Sequence, residues 1–321
     1  MRYVVQRLLL CTAILLSLTT LPGRADDGIS LQWKWEKGRV LRYRMIQEHR
    51  QMAPGTIAET VTRQTVVLRE EVTDVTEDGV ATVQTSFEAV RMEMDTPSGK
   101  MSYDSANPSD LVKASTFMFR PNARLANASF TMKLNREGKV LELSGFEKTM
   151  SGLLPPEQEG GAIAAGMNAQ IKHMYSDQSM KQMMDTSLNI LPDRPVAAGG
   201  TWNRQISAEM PVIGTMTEQG TYTLERVDEK EGQKVAHITS KAQLSMNAPA
   251  PYAGMLKSSM KSGATSGEID FDIEQGCLLR QVQNIRMEIE TTLLGPSPVS
   301  APGRQTTTRR LNQTITLEWL P

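Results

Sequence analysis

Cysteine is nearly absent from this chain: of 321 residues only Cys11 and Cys277 are cysteines, and Cys11 sits in an N-terminal apolar stretch. With Cys277 the only one left beyond that stretch, an internal disulfide is excluded, so stability has to come from a packed core. Aromatic residues make up only 5% of the chain, which argues against a sugar site built on exposed Trp and Tyr platforms. Histidine occurs three times, as His49, His173 and His237, at no metal-ligand spacing. Basic and acidic residues almost balance, 35 against 36, with no Lys/Arg cluster, and nucleic acid would ask for a basic stripe. The sequence also lacks a Gly-x-Ser-x-Gly elbow, a phosphate-binding loop and a zinc-protease helix.

Against those absences stands a well-formed leader. Arg2 and Arg7 precede an apolar run from Leu8 to Leu21, followed by Gly23-Arg24-Ala25 and the acidic Asp26-Asp27. That order is the one of a secretory signal peptide, and the run is shorter than the roughly 20 residues a membrane-spanning helix needs. Cleavage is expected after Ala25, giving a secreted or periplasmic protein. Leu10 before Cys11, where a small residue would be needed, speaks against a lipid-anchored cysteine. Residues 26–321 suffice for one large domain or two closely packed ones.

Period-two alternation dominates that remainder. In Glu268-Ile269-Asp270-Phe271-Asp272-Ile273-Glu274 every second residue is apolar and the others are acidic, and Arg286-Met287-Glu288-Ile289-Glu290 and Arg91-Met92-Glu93-Met94-Asp95 follow the same rule. Alternation with one wet face marks antiparallel sheet, and the acids read as its solvated side. The stretch from Thr306 to Trp319 reads as a closing strand. Segment order also recurs. A turn glycine (Gly38, Gly200) opens each half, a long strand pair follows around an acidic turn (Glu77-Asp78-Gly79, then Glu229 to Gly232), and a shorter pair closes around Gly138 or Gly276. This predicts an α+β, sheet-dominated fold with antiparallel sheets from two related halves. The halves are residues 26–152 and 193–321, flanking a helical insertion at 153–192. Within the insertion, Ile163, Met167, Ile171, Met174, Met180, Met183, Met184, Leu188 and Leu191 fall at helical spacing, with a break at Ser176-Asp177. Shorter helices are expected at Asp110 to Phe119 and Tyr252 to Ser262.

No residue set reads as catalytic, and no cofactor is implied. Ser258-Ser259-Met260-Lys261 matches a serine-x-x-lysine signature, but its supporting motifs do not follow. Met180-x-x-Met183-Met184 has the spacing of a thioether copper site; methionine is equally an adaptable core filler. The stronger expectation is an extracytoplasmic binding or carrier protein, not an enzyme, for an apolar ligand such as a lipid. Its candidate pocket is Met167, Ile171, Met174, Met180, Met183 and Met184. The alternative is an envelope interaction protein with no small ligand, and copper binding is the weakest reading.

Two stretches carry a family resemblance. Leu31-Gln32-Trp33-Lys34-Trp35-Glu36-Lys37-Gly38 is an aromatic and lysine run before a glycine. Leu191-Pro192-Asp193-Arg194-Pro195-Val196 to Trp202 contains a Pro-x-x-Pro-Val junction ahead of a tryptophan. Both resemble bacterial secreted proteins of the domain of unknown function 6263. The resemblance implies a secreted, sheet-rich protein and supplies no catalytic residues.

Overall fold

Alternating apolar and polar side chains, rich in Val, Ile and Thr, favour extended backbone with one face buried, and most of the chain takes that form. The computed structural model describes residues 28–52, 59–110, 112–113, 116, 118–126, 128–150, 172–173, 175–210, 214–230, 232–247, 256–293 and 305–321. The signal-peptide expectation lies outside them. In chain order the strands are β1 (Val40–Met52), β2 (Glu59–Val75), β3 (Ala81–Thr96), β4 (Gly99–Asp104), β5 (Ser129–Leu134) and β6 (Val140–Ser144). They continue as β7 (Thr201–Met210), β8 (Gly214–Lys230), β9 (Gln233–Asn247), β10 (Leu256–Asp272), β11 (Cys277–Leu293) and β12 (Gln305–Leu320). Among the described residues, three short α-helices with defined ranges accompany them: α1 (Arg120–Leu125), α2 (Phe146–Met150) and α3 (Asp177–Leu188).

All twelve strands belong to one antiparallel sheet in the order β6-β5-β3-β2-β1-β12-β11-β10-β9-β8-β7, with β4 paired to β3. The eleven strands of that path would be roughly 48 Å wide if laid flat. Yet α3, which is 12 residues long and so about 18 Å end to end, packs against both edge strands, β6 and β7. The sheet therefore curls until its two edges meet the same helix, and it acquires an inner and an outer face. Carboxylates fasten α3 in that gap: Asp185 Oδ1 accepts from the Val140 amide at 2.8 Å, and Asp177 accepts from the Gly145 and Glu147 amides. Ser176 caps the helix by accepting from the Ser179 amide.

One end of the curl has a packed floor. The segment before β1 sends Leu31 and Trp33 inward, and its amides bond the two closing turns, Trp33 N–H to Arg136 O and Lys34 N–H to Gly276 O. Trp33 stacks on Trp35 with ring centres 5.7 Å apart, meets Phe271 edge-on, and donates its indole N–H to Leu188 O. Ile190, Leu191 and Val196, from the segment between α3 and β7, fill the floor, and Trp202 donates to Ile190 O. A two-bond bridge between Ile29 and Val196 joins the two segments.

Strand order recurs along the sheet. The series β6-β5-β3-β2-β1 is matched by β11-β10-β9-β8-β7, with β12 between the two sets. Gly38 and Arg39 exchange backbone hydrogen bonds with Val72, and Gly199 and Gly200 exchange them with Leu224. Gly38 and Gly199 both adopt positive φ, 86° and 79°, a region open to glycine at little cost.

Local expectations are corrected at three places. Residues 256–262 are strand, not helix: Leu256, Ser258 and Met260 pair with Leu293, Thr291 and Ile289 of β11, and a bulge at Lys261 absorbs the irregular pattern. The helix expected at 110–119 begins only at Arg120, where Pro121 suits the first turn. Asp272, read as part of a solvated acidic ladder, is fully buried. It keeps the strand parity of Asp270 and is buried at the β10–β11 turn, where it accepts from Gln233 Nε2 and the Gln275 amide.

Candidate functional site

Cross-strand partners share a face of the sheet, so the inner face can be followed row by row from the floor. The buried row Val72, Val83, Met132 lies deepest, Leu41, Glu70, Thr85 and Phe130 come next, and Tyr43, Leu68 and Phe87 follow. Tyr43 is 4% exposed and Thr85 1%. Beyond these rows the strands run on. Met45, Gln47 and His49 of β1, Leu311, Ile315 and Leu317 of β12, Ile285, Met287 and Ile289 of β11, and Leu244 and Met246 of β9 occupy inner-face positions and are half-buried. Among the described residues, the helices lie against β3, β5, β6 and β7; in these rows Val66, Val90, Thr265 and Ala242 are buried, while the larger side chains of β1, β12 and β11 stay half-buried. The result is an inner face whose base is packed and whose continuation is lined by flexible methionine, isoleucine and glutamine.

Two acid-bearing clusters interrupt it. In the first half, Glu70 lies directly across from Leu41 on one side and Thr85 on the other. The residue as a whole is half-buried, with its carboxyl surrounded by protein, and that burial pushes its pKa up to about 7. Among the described residues it has neither a hydrogen bond nor a paired cation. The Tyr43 and Thr85 hydroxyls are buried with no hydrogen-bond partner. Burial pushes the Tyr43 phenol well up, and the Glu70 charge adds to the rise. In the second half, Glu218 accepts a 3.0 Å hydrogen bond from Thr265; burial raises its pKa and that bond works against the rise. Beside it, burial pushes Tyr222 up to about 12, Glu218 adds to the effect and Arg204 opposes it. Arg204 donates to Leu191 O, while its Nε is buried without a partner.

Sequence reading passed over both acids, although a signal was present. Glu70 has the strand parity of Val66, Leu68 and Val72, and Glu218 that of Met216, Tyr222 and Leu224, so each is an acid at an apolar position.

Of the predicted pocket residues, Met167, Ile171 and Met174 lie outside the described residues. The other three sit on α3 in different surroundings: Met180 is buried, Met184 is half-buried against the core, and Met183 is 53% exposed. The serine-x-x-lysine string is on β10, where Lys261 pairs with Glu290 at 3.1 Å. Glu290 and Thr291, the partner of Ser258, occupy opposite faces, so the serine and lysine do not converge. His237 is held between Asp228 (Nε2 to Oδ2, 2.9 Å) and Asp270 (Nδ1 to Oδ1, 2.7 Å), which lie on opposite sides of its ring. Among the described residues no group of His, Cys, Asp and Glu is arranged to hold a metal ion, and no helix is long and apolar enough to cross a membrane. A depression of about 350 Å³ lies at Glu48, Arg50, Asn284, Arg286, Asn312 and Thr314. These polar residues belong to the outer face, and the inner-face positions Ile285 and Gln313 complete the lining.

Residues 78–278 match the model of a family of unknown function, DUF6263. The chain belongs to that family. No curated protein matches it at a significant level. Among solved structures, one described as lipid-protein interactions in lipovitellin aligns with 90% of this chain at 10% identity and a TM-score of 0.43; the chain spans 26% of lipovitellin's length. The COG4313 outer membrane channel from Pseudomonas putida F1 aligns with 91% of this chain and 98% of its own, at 8% identity and a TM-score of 0.23. DynF from the dynemicin biosynthesis pathway of Micromonospora chersina aligns over 90% and 89%, at 12% identity and a TM-score of 0.18. At these scores the likenesses carry nothing about function.

Proposed function

We propose that this DUF6263 protein is an extracytoplasmic, non-catalytic binding or carrier protein for a ligand with a substantial apolar part. The observation behind the reading is the inner face beyond Tyr43. Four long central strands keep apolar side chains turned into the curl, and these stay half-buried where a filled core would bury them fully. Methionine and isoleucine without aromatic platforms suit a plastic apolar ligand, since unbranched thioether side chains adapt to irregular shapes. We further infer that the scaffold arose by duplication of a five-stranded unit. The recurring strand order, the equivalent Gly38–Val72 and Gly199–Leu224 pairs, and the similar turn glycines support this.

Native mass spectrometry of the protein isolated from its own extracytoplasmic compartment, followed by organic extraction, tests the carrier reading. A lipid-sized adduct is expected, lost when Met287 and Leu244 are changed to Asp while the far-ultraviolet spectrum is kept. A bare mass, together with a native state that binds no hydrophobic dye, would sink it and leave partner docking in the envelope.

A further inference from the structure

Glu70, Tyr43 and Thr85 are three oxygen-bearing side chains set into the base of the apolar inner face. Glu70 and Thr85 are direct cross-strand partners, and Tyr43 stands on the next row of the neighbouring strand. The two hydroxyls have no partner, and the carboxyl has no counter-charge among the described residues. Buried hydroxyls without partners are costly, and here two of them stand beside an unpaired carboxyl. The nearest cation to bear on Tyr43 is Arg39, which already donates to the Lys34 and Gln275 carbonyls and to Gln275 Oε1. Cys277, also near Tyr43, is a buried thiol held neutral by its burial. The missing partner is therefore a group that brings several donors and a positive charge. A primary ammonium has three N–H donors and no acceptor, matching one carboxylate and two hydroxyl oxygens in number and sign.

We propose that Glu70, Tyr43 and Thr85 form the seat for a primary ammonium group carried on an apolar stem. The stem lies along Leu68, Met45 and Leu317, the half-buried side chains leading from the seat toward the open rows. This inference rests on the carrier reading and narrows its ligand to a cationic amphiphile.

The test is calorimetric titration at pH 8 of the full protein and its E70Q and T85V variants with decylamine, decanol and decanoate. The wild type is expected to bind decylamine about tenfold or more tighter than decanol, the scale of one charge-assisted hydrogen bond, and decanoate most weakly. E70Q is expected to weaken decylamine binding until the preference over decanol is lost, and T85V to reduce that preference. Equal wild-type affinities for the three probes, or a preference that survives in E70Q, would overturn the ammonium seat and leave the carrier reading standing. Failure of all three to bind would overturn both. The wild-type comparison of headgroups needs no variant, so the proposal stays open to refutation even if E70Q folds poorly.

Discussion

Replacing Glu70 by glutamine should change how the stability of the ligand-free protein depends on pH. Burial raises the carboxyl pKa from 4.5 to about 7, so the folded protein holds this proton at pH values where the unfolded chain has lost it. The sign follows from linkage: where the native state binds more protons than the unfolded state, stability falls as pH rises. The contribution of Glu70 is thus fully present below about pH 4.5 and declines through pH 7. Over that interval the loss amounts to about 3 kcal/mol. A glutamine side chain has nearly the same shape as the protonated acid and cannot ionise, so the E70Q variant should exceed the wild type by no more than about 1 kcal/mol at pH 5 and by about 3 kcal/mol at pH 8. Urea unfolding followed by tryptophan fluorescence at pH 5, 6, 7 and 8 measures this, since Trp33 and Trp202 are buried in the core. His49, His173 and His237 are common to both proteins, so their effects cancel in the difference. A difference that stays flat with pH, or grows in the opposite direction, would refute a buried and uncompensated Glu70.

Other outcomes follow from the same geometry. A Cβ at Gly138, where φ is +84°, would sit 2.3 Å from Leu188 O and 2.4 Å from Trp33 Nε1, whereas one at Gly99 would meet nothing within 4 Å. Gly99→Ala should therefore cost about 1 kcal/mol and Gly138→Ala about 3 kcal/mol or more in urea unfolding; equal costs would contradict the packed floor. Cys277 is fully buried and its thiol is pushed up by burial, so it should resist a thiol reagent in the native protein and react stoichiometrically in denaturant; rapid native labelling would show that the floor opens. Asp177→Ala removes the acceptor for the Gly145 and Glu147 amides and should lower stability by about 1–2 kcal/mol, with amide exchange rising first in α2 and α3. Uniform exchange would argue against α3 being fastened through this side chain.

The parts of the fold legible in the sequence are those set by local pattern. Alternation placed the β2–β3 and β8–β9 hairpins around their acidic turns and marked the last segment as a strand, because sheet parity is a period-two property of neighbouring residues. It failed where a turn closes over a side chain. Asp272 has the parity of Glu268 and Asp270, yet the β10–β11 turn buries it beneath donors from Gln233 and the Gln275 amide. It failed again at 256–262, where Met, Lys and Ser allow helix and only pairing with β11 makes strand. The apolar stripe at 180–188 was readable as helix, but its exposure was not: which of Met180, Met183 and Met184 is buried depends on where β6 and β7 stand.

By itself the sequence determined the kind of protein this is: sheet-dominated, without disulfides, poor in catalytic motifs, with strand pairs punctuated by turn glycines. These follow from composition and from periodicities a few residues long. Only the tertiary structure decided that the halves share one curled sheet, that β12 joins them, and that a floor of tryptophan and leucine closes one end. Only there do Tyr43, Glu70 and Thr85 meet, since residues from three strands are brought together by register across the sheet, a relation between distant segments that no local pattern encodes.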